Sequence, residues 1–241
     1  MTSSTDLGLG IARFIRELRK GRARFLNSWF RNRLFGFDTT GYFFEPLFHR
    51  WLKKQPPGTV FLDVGANIGY YVKLAVKRAA LVVAFEPNPA IFRRLEELSS
   101  EKVRCFNIAL GEDHRMISLS LDEGDYGVCA SAARSSPVLN VSEVKTMVPQ
   151  APLDDYSSAW RPLSVGIVKI DVEGYEIPVL SGSVRTLAAH QPILLIECHG
   201  SKNYQLVQEF LSDKGYALQE REDASSQGWD RLVHTVWIPR S

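Results

Sequence analysis

The sequence predicts an α/β fold: a seven-stranded mixed sheet with helices on both faces and its last strand antiparallel. Two observations carry that expectation. From Gly58 onward, strand-sized apolar runs alternate with segments of helical spacing, which is what a mostly parallel sheet covered by helices requires. The last two runs, about Ala217 to Arg221 and Leu232 to Ile238, are joined by a short connection containing Gln227-Gly228. That connection predicts a hairpin and hence one antiparallel strand.

In chain order, apolar residues from Ile11 to Phe30 recur at spacings of three and four, broken once near Gly21, with arginines opposite. This amphipathic segment is expected to pack on the body. Peripheral contact of residues 11–33 with an anionic membrane surface is the alternative. A second helical stretch, about Phe43 to Lys54, stops at Pro56-Pro57-Gly58. Residues 1–57 are therefore expected to be a basic helical extension and residues 58–241 the main domain. Thr59 to Val64 reads as the first strand, with a helix over Tyr70 to Ala79. Leu81 to Phe85, a helix over Ala90 to Ser99, and Val103 to Ile108 follow. Residues 111–160 interrupt the alternation. Met116 to Leu121 has period-two patterning, and Gly124, Gly127 and several serines come after it, which predicts a hairpin and loop shaping a substrate pocket. Strand Val165 to Ile170, a helix through Pro178 to Ala189, strand Pro192 to Cys198 and a helix near Tyr204 to Lys214 complete the pattern.

Composition narrows the function classes. A chain of 241 residues with 45% hydrophobic and 23% charged residues can bury a full core as one catalytic domain. The longest apolar runs, such as Leu81 to Phe85 and Ile193 to Ile196, are far short of the roughly 18 residues that span a bilayer. Arg13, Arg16, Arg19 and Lys20 interrupt every candidate signal peptide, so a cytoplasmic location is expected. Cys105, Cys129 and Cys198 are too few and too scattered for a disulfide framework or a zinc knuckle, and are expected to be core thiols. Residues 13–33 hold eight Arg/Lys against Glu17, a local +7 that leaves the rest of the +2 chain at −5. An acidic body with a basic arm does not match a nucleic-acid enzyme, and no aromatic-basic RNA platform is evident, so no nucleic-acid partner is expected.

The chemistry is expected just beyond the strand ends, where open α/β sheets bind their ligands. After the first strand comes Asp63-Val-Gly65-Ala-Asn67-Ile-Gly69. Its glycines allow a sharp turn and a close backbone approach, and the helix beyond offers its N-terminus to a negative group. A dinucleotide site spells this turn G-x-G-x-x-G; the arrangement here is D-x-G-x-N-x-G, which weakens a pyrophosphate reading. After the second strand comes Glu86-Pro87-Asn88-Pro89, where a carboxylate can accept hydrogen bonds from both hydroxyls of a ribose.

Together with Lys169-Ile-Asp-Val-Glu-Gly-Tyr-Glu176, these segments resemble the FkbM-type methyltransferase family. The resemblance runs from about Thr59 to His199 and takes in Asn107-Ile-Ala-Leu-Gly111, Leu153-Asp-Asp-Tyr156, Val179-Leu-Ser-Gly182 and Ile196-Glu-Cys-His199. It implies a class I, Rossmann-like seven-stranded fold, S-adenosyl-L-methionine as methyl donor, and O-methylation of a sugar, polyketide or related small-molecule or glycan hydroxyl. Carried over by position, it places Asp63, Gly65, Ala66, Asn67 and Gly69 around the donor's methionine moiety. Glu86 and Pro87 fall at its ribose, and Asn107 and Ala109 beside the adenine. It also puts Lys169, Asp171 and Glu173 next to the sulfonium methyl, with Glu197 and His199 at the neighbouring strand end.

Methyl transfer to oxygen needs acceptor and donor held in line and the hydroxyl proton removed. The expected catalytic residues are His199 as base, with an ordinary pKa near neutral, and Asp171 in support, with Glu173 adjacent. No metal is expected. The alternative treats Asp171, Glu197 and His199 as a divalent-metal site, and Glu173 and Glu176 can instead pair with Lys169 or cap the next helix. Two other function classes stay open on the residues alone. One is a nicotinamide-dependent dehydrogenase, and the other a non-catalytic or membrane-surface binding protein on the same fold.

Overall fold

The computed structural model describes residues 45–121, 130–131, 144–223 and 232–240. The basic segment 11–33, Cys129, Gly124, Gly127 and the Gln227-Gly228 connection lie outside them.

Seven strands form one sheet: β1 (Val60–Val64), β2 (Leu81–Phe85), β3 (Val103–Phe106), β8 (Val165–Ile170), β9 (Ile193–His199), β10 (Tyr216–Asp223) and β11 (Leu232–Pro239). Their spatial order is β10-β11-β9-β8-β1-β2-β3. Every pairing is parallel except those of β11, which runs antiparallel to both β9 and β10. Both faces of the central strands are covered, so all positions of β1, β2 and β8 are buried. Successive side chains alternate between two cores. Leu62, Val64 and Phe85 pack with Trp160, Tyr216 and Trp237, while Phe61, Val82 and Ala84 pack with Tyr71. The strand order reverses between β1 and β8, which opens a crevice at their carboxyl ends.

The covering helices are α1 (Pro46–Leu52), α2 (Tyr70–Ala75), α3 (Pro89–Glu96), α4 (Glu176–Ser181), α5 (Val184–His190) and α6 (Ser201–Asp213). Helix α1 starts on Pro46, whose fixed φ suits a first turn, and buries Leu47, Phe48, Trp51 and Leu52 in the second core. Helices α4 and α5 replace the single helix expected over Pro178 to Ala189. The break falls at Gly182, where a Cβ would stand 1.9 Å from the Gly111 carbonyl oxygen. Asp154, on the 3₁₀ segment Leu153–Ala159, caps α5 from across the gap, accepting from the Arg185 and Thr186 amides at 2.8 Å each.

In the insertion the antiparallel pairing of the expected hairpin belongs to a second, four-stranded sheet, and the expected loop lies outside the described residues. The second sheet comprises β4 (Ala109–Leu110), β5 (Arg115–Leu121), β6 (Ala130–Ser131) and β7 (Val144–Ala151), in the order β4-β7-β5-β6. The expected third strand, Val103 to Ile108, divides between the two sheets. The Asn107 amide donates to the Glu86 carbonyl at 2.8 Å and the Pro87 carbonyl at 3.1 Å, and the chain then crosses to pair β4 with β7. Strand β7 pairs with β5 from Arg115↔Gln150 to Leu121↔Val144. Pro149 lies within it, a residue rarely found inside a strand, which masks β7 in the sequence. Among the described residues no helix is long and apolar enough to cross a membrane.

Candidate active site

Three residues in the turn after β1 take left-handed backbone conformations: Gly65 at φ +76°, Asn67 at +51° and Gly69 at +83°. Gly65 has a second constraint, because a Cβ there would stand 1.8 Å from the Asp171 carbonyl oxygen, a backbone atom that cannot swing aside. The turn is thereby laid against the end of β8. It is also tied to β2, since the Gly65 and Ala66 amides both donate to the Phe85 carbonyl at 3.0 Å.

At the end of β2 the Glu86 carboxylate is clamped by two backbone donors. Its Oε2 accepts from the Asn67 amide at 2.9 Å and its Oε1 from the Asn88 amide at 2.8 Å. Glu86 is 5% exposed. Burial pushes its pKa up to about 7 against the lowering effect of those two amides. Around it lies an open cleft of roughly 710 Å³, open solvent at its mouth included. One wall is apolar, made by Ile91 of α3, Ile108 and Leu110 beside and on β4, and Ile117 and Leu119 of β5.

The other end of the cleft is acidic. Lys169 Nζ, almost wholly buried, lies 3.3 Å from Asp171 Oδ2 and 3.7 Å from Asp63 Oδ1. The second separation is an ion pair too long for a hydrogen bond, and both Asp63 oxygens lack a hydrogen-bond partner although the side chain is buried. Burial raises the Asp63 pKa, with Lys169 opposing it; Asp171 is raised by burial and by the nearby Glu197. His199, at the end of β9, is surrounded by glutamates. Its Nε2 is 3.1 Å from Glu173 Oε2 and 3.2 Å from Glu197 Oε1, and its Nδ1 is 3.2 Å from Glu176 Oε1. Burial alone would lower the imidazole, but these three partners hold it well above its usual range. Glu197 is pulled below the usual carboxylate range, because bonds from His199 and His234 outweigh the effect of burial. Its other oxygen lies 2.8 Å from His234 Nε2. Glu173 sits at φ +53°, a strained setting for a residue with a Cβ, and Gly174 follows at +99°.

Of the residues nominated from the sequence, Gly65, Asn67, Glu86, Pro87 and Ala109 line the cleft at one end, and Asp171 and Glu173 line it at the other. The others, Lys169 and Glu197 included, stand behind these. Ala66 and Gly69 belong to the turn, where the Gly69 amide donates to the Ala66 carbonyl. Asn107 ties β3 to the residues after β2, Asp63 faces Lys169, and His199 holds Glu173. Both nitrogens of His199 face carboxylates, Nε2 towards Glu173 and Glu197 and Nδ1 towards Glu176. Several contributors, Glu45, Ile117 and Leu119 among them, are not singled out by the sequence. Glu45, which accepts a hydrogen bond from the Tyr71 hydroxyl, carries no sequence signal. Ile117 and Leu119 belong to an alternating strand, and their period-two pattern was the available sign.

Residues 63–218 match the family model of the methyltransferase FkbM domain. The hexuronic acid methyltransferase AglP of Haloferax volcanii is 29% identical over 163 residues, covering 67% of this chain and 65% of that one. The 2-O-methyltransferase NoeI of Sinorhizobium fredii is 26% identical over 147 residues, covering 55% and 60%. The chain thus spans just under two thirds of the length of these curated relatives. An rRNA methylase of Streptococcus thermophilus superposes with a TM-score of 0.50 over 80% of this chain and 95% of that one, at 8% identity, a likeness of fold alone. With the seven-stranded order and the family match over most of its length, the chain belongs to the FkbM methyltransferase family.

Proposed function

We propose that this protein transfers a methyl group from S-adenosylmethionine to a hydroxyl of a sugar or other glycan acceptor. The observation that carries the reading is a cleft lined by Glu86, after β2, and by Asp171 and Glu173, after β8 on the far side of β1. Ionised carboxylates only accept hydrogen bonds, so both sides suit hydroxyl-bearing groups, a ribose at one and an acceptor at the other. Relatives named for methylating a hexuronic acid and for 2-O-methylation support the acceptor class.

The residues fit the donor. Glu86 is preorganised by two amides to receive the ribose hydroxyls, and the apolar wall beside it suits the adenine. Asp63, buried and short of hydrogen-bond donors, suits the ammonium of the methionine moiety. Gly65, Ala66, Asn67 and Gly69 shape the turn around that moiety, with Pro87, Asn107 and Ala109 about the nucleoside. When bound, the donor supplies an electrophilic methyl on a sulfonium. The chain's part is to align the acceptor oxygen and take its proton, which falls to Asp171 and Glu173, the acids that line the cleft. His199 acts behind them, holding Glu173 in place.

The test is calorimetric titration with S-adenosylhomocysteine, followed by incubation with labelled donor and a panel of monosaccharides, uronic acids and glycolipids. Saturable binding and label on a carbohydrate oxygen are expected. Donor binding with label only on protein, nucleic acid or nitrogen acceptors would overturn the acceptor class, and absence of donor binding would overturn the whole reading.

A further inference from the structure

We infer that the chain holds a hard divalent cation, Mg²⁺ or Mn²⁺, between Asp171, Glu173 and His199, with Glu197 closing the site. A carboxylate oxygen from each acid and a ring nitrogen of His199 lie within 4.8 Å of one another in the first three. The closer spacings match a coordination shell. His199 Nε2 stands 3.1 Å from Glu173 and 3.2 Å from Glu197, and two ligands at right angles about 2.1 Å from a Mg²⁺ are about 3.0 Å apart.

Hydrogen bonding alone accounts poorly for this arrangement. A ring nitrogen carries one proton, and a single N–H cannot point well at two carboxylates. The other face of the imidazole is fixed independently: Nδ1 meets Glu176, which is wholly buried and also accepts from the Gly174 amide at 3.0 Å and from the Asn203 amide. A carboxylate behind one ring nitrogen, with the other facing further carboxylates, is how proteins orient a metal-ligating histidine.

A second observation lies outside the cluster. Among the described residues Lys169 is divided between Asp171 and the buried Asp63, whose two oxygens lack hydrogen-bond donors, so it does not neutralise Asp171 by itself. Carboxylate ligands suit Mg²⁺ and Mn²⁺, and the set offers no thiolate for a soft metal. The inference deepens the hydroxyl-transfer reading and rests on it for the cation's purpose, which is to bind the acceptor oxygen and lower its pKa.

The experiment titrates the full chain with Mn²⁺ by calorimetry and by the loss of free-Mn²⁺ electron paramagnetic resonance signal, with Mg²⁺ as competitor. S-adenosylhomocysteine affinity and circular dichroism are measured on the same samples. One Mn²⁺ per chain, displaced by Mg²⁺, is expected. Glu173→Gln, at a partly exposed position, and His199→Gln should each weaken it at least about tenfold while S-adenosylhomocysteine still binds. A chain that binds S-adenosylhomocysteine but no Mn²⁺, or folded variants that bind Mn²⁺ like the parent, would overturn the cation and leave the donor reading standing. Mn²⁺ uptake without S-adenosylhomocysteine binding would do the reverse.

Discussion

Glu86 gives the sharpest quantitative test, because its clamp makes donor binding depend on a proton. The carboxylate must be ionised to accept from both ribose hydroxyls, yet burial has raised its pKa from 4.5 to about 7. S-adenosylhomocysteine affinity should therefore be nearly flat above pH 8 and fall as pH drops. At pH 6 about one chain in ten carries an ionised Glu86, so the dissociation constant rises roughly tenfold, and by roughly a hundredfold at pH 5. Stability of the free protein moves the other way. A carboxyl raised in the folded chain binds protons more tightly there than when unfolded. The free protein thus loses about 3 kcal/mol from this group as pH climbs from about 4.5 to about 7. Glu86→Gln removes the charge and one acceptor oxygen. Loss of one charged hydrogen bond costs about 1.5–3 kcal/mol, or roughly 10- to 150-fold in affinity, and the pH dependence should vanish with it. Calorimetry of wild type and variant from pH 5 to 8.5 measures both. A variant that binds like the parent, or a parent whose affinity does not change between pH 8 and 6, would refute the assignment of Glu86 to the ribose.

Three further perturbations follow from contacts in the same region. Gly65→Ala forces a Cβ into the Asp171 carbonyl at a left-handed φ, so it should cost at least about 2 kcal/mol in urea unfolding and weaken S-adenosylhomocysteine tenfold or more; a neutral result would mean the turn does not press on β8. Glu176→Ala leaves His199 Nδ1, the Gly174 amide and the Asn203 amide without their buried acceptor, for an expected loss of about 3–5 kcal/mol and a melting temperature lower by roughly 10 °C. A shift under about 2 °C in scanning calorimetry would contradict that network. Ile117→Ala trims the apolar wall at a partly buried position and should weaken S-adenosylhomocysteine about fivefold, near 1 kcal/mol, with little change in melting temperature. Unchanged affinity would remove β5 from the donor pocket.

Much of the fold is legible in the residues because its signals are local. Buried parallel strands read as continuous apolar runs, and all seven main strands lie where such runs predict them, with ends shifted by a few residues. The single helix expected over Pro178 to Ala189 is broken by tertiary contacts: the Gly111 carbonyl lies against Gly182, and Asp154 caps the second half. In the insertion β5 is legible from its alternation, whereas β7 is not, because it carries Pro149 and owes its place to partners on β4 and β5, more than 20 residues away in the chain. Within the site, Glu86 was identifiable from its position after a strand, whereas Glu45 was not, since nothing nearby in sequence marks it as reaching Tyr71.

The sequence by itself determined the strand order's raw material, the left-handed turn at Gly65, Asn67 and Gly69, and which acids follow which strands, because backbone conformation and hydrophobic period are properties of neighbours in the chain. Only the tertiary structure decided what those acids are. It set Lys169 between Asp63 and Asp171, enclosed His199 with Glu173, Glu176 and Glu197, and faced His234 with Glu197 across an antiparallel pair. Charge and protonation depend on distance and burial in space, and those are fixed when β1, β8, β9 and β11 come together in one sheet.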